Sequence, residues 1–176
     1  VHWNWAIVSF TLLYLLTYWC FAASGSGSTT LILLVPLLVW ISTADFRHFI
    51  VPDLAVVGVT AVGLWIVRDD PLIPVVGAIV VGSFLWGASE LFFRWTGKDG
   101  LGLGDVKLLG ASTLCVGLEA IGLVIVLGSL SGVIAVLLAR KNTPRAGKSG
   151  IPFAPFLAYA LFLTHGFAPI LQESSW

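Results

Sequence analysis

Residues 100–110 read GLGLGDVKLLG, an aspartate set directly after a run of glycines with a lysine two positions on. Taken alone, a glycine-rich turn that ends in an acid is an ordinary helix start, because that end of a helix carries unsatisfied N–H groups and partial positive charge. The surrounding sequence decides between a turn and a site. The chain has 176 residues, 58% of them hydrophobic and 10% charged, with a formal net charge of zero and a mean hydropathy of +1.00. A single soluble domain does not have that composition. Apolar stretches of about 20 residues, the length that crosses a bilayer, follow one another with little polar sequence between them. The expected fold is all-α, a polytopic transmembrane helix bundle.

Hydropathy, broken at glycine, proline and charge clusters, predicts seven helices at about 3–23, 30–45, 52–67, 72–95, 106–118, 120–139 and 151–170. The fifth is short and follows the glycine run; an interrupted span of this kind is stable where it is buried in protein or lines a wet cavity. Lysines and arginines orient the bundle. Arg47, Arg94, Lys98, Lys107, Arg140, Lys141, Arg145 and Lys148 fall on one side, and Arg68 alone on the other, which makes the first side cytoplasmic. Cys20 and Cys115 lie in apolar stretches without CxxC spacing, so they read as packing residues and no metal site is expected.

An acid inside or at the edge of the hydrocarbon costs about 2.5–3.5 kcal/mol on insertion scales, so each one is a functional candidate. Glu90 precedes Arg94 by four residues and pairs with it along the helix; Glu119 falls in the predicted connection between spans five and six. Asp53 follows Pro52, a common way to begin a helix. Asp45 and Asp105 differ from these. The first ends span two and the second begins span five, and the two helices between them return the chain to the face it left. The aspartates can therefore meet. Two carboxylates a few ångströms apart retain one proton between them, so that one takes a proton from water while the other polarises a peptide carbonyl. Gly102 and Gly104, lacking Cβ atoms, would let a substrate backbone approach Asp105.

With these residues in hand, GKDGLGLGDVKLLG at 97–110 resembles the GxGD signature of the type IV prepilin peptidases, a family of membrane aspartic proteases. DFRHFIVPD at 45–53 resembles the family's first-aspartate motif, and IPFAPFLA at 151–158 is similar to its last helix, with Ala154 where glycine is usual. The resemblance implies a six-helix core, residues 29–176, preceded here by one additional span within 1–28, all in a single peptidase domain. It implies removal of the leader from prepilin or pseudopilin precursors, just before their hydrophobic N-terminal helix. The active site would face the cytoplasm from a bacterial or archaeal cytoplasmic membrane. Asp45 and Asp105 carry over as the catalytic pair, Gly102 and Gly104 as the signature glycines, and Pro52, Asp53 and Lys107 as motif positions that bind or position substrate. No cofactor and no nucleic acid are implied, and the lipid bilayer is the other partner. Larger family members carry a cytoplasmic region, often with paired CxxC motifs, associated with methyl transfer; nothing in this sequence corresponds to it, so a short, peptidase-only form or a trimmed core is expected, without methyl transfer.

Three rival readings are weaker. AGKSG at 146–150 lacks the glycine a phosphate-binding loop requires, since that position is Asn142. A transporter or channel would hold its acids near the midplane between related halves of the chain, whereas here they sit at one face with no internal repeat. A GxGD intramembrane protease of other substrates would show Pro-Ala-Leu in a late helix, where this chain has Ile151-Pro152-Phe153.

Overall fold

A computed structural model describes residues 3–97, 101–142 and 152–173. Lys98, Gly100, Arg145, Lys148, the AGKSG segment and Ile151 lie outside the described residues. Among the described residues six helices follow in order: α1 Trp3–Ala23, α2 Thr29–His48, α3 Asp53–Ile66, α4 Leu72–Thr96, α5 Leu103–Asn142 and α6 Ala154–Glu173. Four stretches, Trp5–Ala23, Thr29–His48, Leu72–Thr96 and Leu103–Leu138, are long and apolar enough to cross a membrane.

The core is built on α2 and α6. Leu31, Leu34, Leu38 and Ile41 recur at helical spacing on α2 and are fully buried, as are Leu157, Ala158 and Leu161 on α6. Val59 of α3 and Leu108 of α5 close the same cluster. α1 packs on its outside, where the Tyr14 and Phe162 rings meet edge to face at 5.1 Å and Thr17 Oγ1 lies 2.9 Å from the Tyr159 hydroxyl. α4 is the opposite case: only Gly77 is buried, and Phe84, Trp86 and Trp95 stand exposed. So much exposed apolar surface suits a lipid environment rather than water.

Seven separate spans are not found. The stretches expected at 106–118 and 120–139 form one helical element, and α3 has only 14 residues. The interruption comes at Gly117, whose φ of 81° and ψ of 165° lie outside helical geometry. Hydropathy looks for a polar connection and finds it at Glu119, but a residue without Cβ reaches positive φ at no steric cost and turns the chain without one. The two arms of α5 run in opposite directions. Along the first, Gly104 faces Val51 and Leu114 faces Gly63; along the second, Gly128 faces Leu157 and Gly132 faces Phe153. Each arm therefore has one end beside the C-terminus of α2.

That arrangement returns the chain to the end where α2 finishes. His165 of α6 fastens the opposite end. Its Nδ1 lies 2.9 Å from the Cys115 carbonyl, so Nδ1 carries the proton and donates, and Nε2 is left to accept from the Thr30 hydroxyl at 2.9 Å.

Candidate functional site

Asp45 sits one turn before the end of α2, 6% exposed. Its Oδ2 accepts a hydrogen bond from the Ala154 amide at 2.9 Å, so the carboxylate caps the first residue of α6. A helix N-terminus offers unpaired N–H groups and partial positive charge, which suits an acid there. Ala154 is itself fully buried. The proline-flanked segment that opens α6 thus supplies a donor to an aspartate 109 residues away.

After Asp45 the chain turns sharply. Phe49 adopts φ 54°, the only positive φ at a non-glycine position among the described residues, and its N–H donates to the Asp45 carbonyl at 2.9 Å. A left-handed conformation costs a side-chain-bearing residue about 1–2 kcal/mol. It closes α2 and sends residues 50–52 across the bundle end toward α5. Pro52 then precedes the first residue of α3, and its carbonyl accepts from the Ala55 and Val56 amides.

Asp105 lies in the first turn of α5, half-buried. Both glycines of the run lie against something specific. A Cβ on Gly102 would stand 3.2 Å from Asp105 Oδ2, so this glycine leaves room for the carboxylate itself. A Cβ on Gly104 would stand 2.8 Å from the Val51 side chain. Gly104 therefore lets α5 approach the turn that follows Asp45, and it also lines the cleft beside Asp105.

The consequence is a single open cleft of about 340 Å³ lined by Asp45, Phe49, Val51, Gly102, Gly104 and Asp105, with Asp53 and Lys107 at its side. The two carboxylates are near enough to interact electrostatically. Lys107 Nζ donates to Asp53 Oδ1 at 2.8 Å, linking α5 to α3. The Glu90–Arg94 pair forms at 2.9 Å, as the four-residue spacing predicts. Among the described residues no group of three His, Cys, Asp or Glu side chains is arranged to hold a metal ion.

Sequence reasoning missed three contributors: the Ala154 amide, Phe49 and Val51. The Pro152 and Pro155 pair signals a helix start at Ala154, but nothing in the sequence says which acid meets it. A bulky left-handed residue such as Phe49 leaves no mark in composition.

Two acids from different helices thus line one cleft at a shared end of an apolar helix bundle. Residues 32–137 match the type IV leader peptidase family. The chain is 34% identical over 156 residues to the prepilin leader peptidase/N-methyltransferase of Xanthomonas campestris, covering 85% of this chain and 53% of that protein. It is 35% identical over 150 residues to the protein of the same name from Pseudomonas aeruginosa, covering 81% and 50%, and 33% identical to that of Stutzerimonas stutzeri over an equal length and coverage. The chain spans about half the length of these relatives. No solved structure gives a significant match. The chain belongs to the type IV leader peptidase family.

Proposed function

We propose that the protein is a membrane aspartic endopeptidase that removes the leader of type IV prepilin-like precursors, with Asp45 and Asp105 as its catalytic pair. The observation that carries this reading is the meeting of the two carboxylates, from different helices and sixty residues apart, on the wall of one open cleft. Water reaches them there.

Asp45 Oδ2 is occupied as an acceptor by the Ala154 amide. A donor there favours the ionised form of Asp45. The ionised carboxylate takes a proton from the bound water as its oxygen attacks the scissile carbonyl carbon. The protonated carboxyl donates to the carbonyl oxygen and stabilises the charge that develops there. Collapse of the tetrahedral intermediate breaks the C–N bond, and the proton taken from water passes to the departing amine. Pro52, Asp53 and Lys107 position the substrate at the rim, with residues 29–176 as the catalytic core and 1–28 as an added span.

We read this face as cytoplasmic, in the cytoplasmic membrane of a bacterial or archaeal cell, and the distribution of basic residues supports the orientation. Arg47, Arg94 and Lys107 lie at the dyad end, whereas Arg68 lies at the far end beside Trp65 and Asp69. A transporter would hold its acids at mid-depth, and the interfacial cleft disfavours it.

Purified protein in lipid, mixed with a pilin precursor, is expected to cleave it, and Asp45→Asn and Asp105→Asn to lose cleavage while still folding. Persistence of cleavage in either variant removes that residue from the pair. Failure of the parent on every pilin-like precursor ends the reading.

A further inference from the structure

We propose that the apolar groove between α3, α4 and the first arm of α5 receives the hydrophobic segment of the precursor that follows its scissile bond. The inference rests on the peptidase reading above. The groove has a volume of about 930 Å³. It shares Asp53, Leu103 and Lys107 with the dyad cleft, so the two spaces adjoin at these residues. From that mouth it runs away from the aspartates to Leu64 and Val75.

Its chemistry selects one kind of ligand. Charge is confined to the mouth, where Lys107 and Asp53 pair. Deeper in, the polar side chains are Thr60 and Ser83, and the Thr60 hydroxyl is already satisfied by the Val56 carbonyl at 2.9 Å. Ala78, Gly82 and Gly110 make a floor of small residues on which bulky apolar side chains can seat. Val57 is 61% exposed and Ile79 62%, so nothing in the described chain covers these walls.

Length and adjacency identify the occupant. A peptide whose scissile bond lies between Asp45 and Asp105 leaves the cleft in two directions, and one of them passes Lys107 and Asp53 into the groove. The eleven helical steps from Asp53 to Leu64 extend for roughly 16 Å, at 1.5 Å rise per residue, so the groove accommodates about three turns of an apolar helix. A lipid acyl chain would satisfy the apolar walls but has no reason to continue into a cleft with two acids.

Cleavage is measured on a full precursor and on a short peptide that spans the scissile bond but ends before the apolar segment. Ala78→Trp, which fills the floor, should lower the ratio of kcat/KM for precursor to that for peptide by about tenfold or more, mainly through KM. An unchanged ratio overturns the groove while the peptidase reading stands. A parent protein that cleaves neither substrate overturns that reading and the groove with it.

Because a tryptophan can also disturb helix packing, a second measurement uses Leu64→Cys with Cys20→Ser and Asp105→Asn, mixed with precursors carrying one cysteine along the apolar segment. Oxidation should form a disulfide about eight to twelve residues past the scissile bond, the reach set by the helical rise. No disulfide at any position overturns the proposal. So does capture at Leu64 of a photoactivatable phospholipid chain that added precursor fails to displace.

Discussion

The two regions that supply the acids hold them in opposite ways. Asp45 is buried at the junction of two core helices, with one oxygen tied to the α6 amide. Asp105 stands half-buried in the first turn after a glycine run, and among the described residues no side chain or amide hydrogen-bonds its carboxylate. One acid is anchored by a backbone donor, and its partner has no such donor among the described residues. Such a division would suit the catalytic pair proposed above, with the anchored carboxylate fixing the geometry.

Alanine substitutions test this contrast most severely. Asp45→Ala and Asp105→Ala should each cut turnover by roughly a hundredfold to ten-thousandfold in the precursor assay, the usual worth of a general acid or base. They should part company in stability. Asp45→Ala leaves the buried Ala154 amide unpaired and is expected to cost about 1–3 kcal/mol in thermal or denaturant unfolding in detergent. Asp105→Ala removes no such partner, so equal losses would mean that the two acids are held alike.

Gly104→Leu comes next. Its Cβ would meet Val51 at 2.8 Å and push α5 away from the turn after Asp45, and a misplacement of about 1 Å can cost roughly a hundredfold in rate. Val51→Ala should restore part of the loss. Lack of any rescue would return Gly104 to the substrate-approach role expected from sequence. The smallest effect is at the rim, where Lys107 and Asp53 are 54% and 74% exposed. A double-mutant cycle with Lys107→Met and Asp53→Asn should give a coupling of about 0.2–1 kcal/mol in stability. A coupling well above that range would show the pair to be shielded from solvent, and closer in character to the anchored acid.

Much of this could be read from the chain. The apolar lengths predicted helices, and the two helices between Asp45 and Asp105 predicted that both acids face one end, where a single cleft now contains them. The four-residue spacing of Glu90 and Arg94 was equally plain, since local pairs depend only on helical pitch. What escaped was long-range or conformational. Hydropathy registers charge and not φ, so it broke the fifth and sixth spans at Glu119 and missed Gly117. The bond from Ala154 to Asp45 joins residues whose proximity only the packing of α6 on α2 decides. Phe49 is left-handed because its surroundings hold it so, and phenylalanine itself announces nothing of the kind.

Gly117 has a further consequence. It acts as the rivet of a folded ruler, with one leg bearing Asp105 and the other lying along the helix whose tip grips Asp45. Both acids are thus referred to a single joint at the opposite end of the bundle, with His165 fastening it. A change at that joint is therefore expected to alter the spacing of two side chains at the other end of the fold.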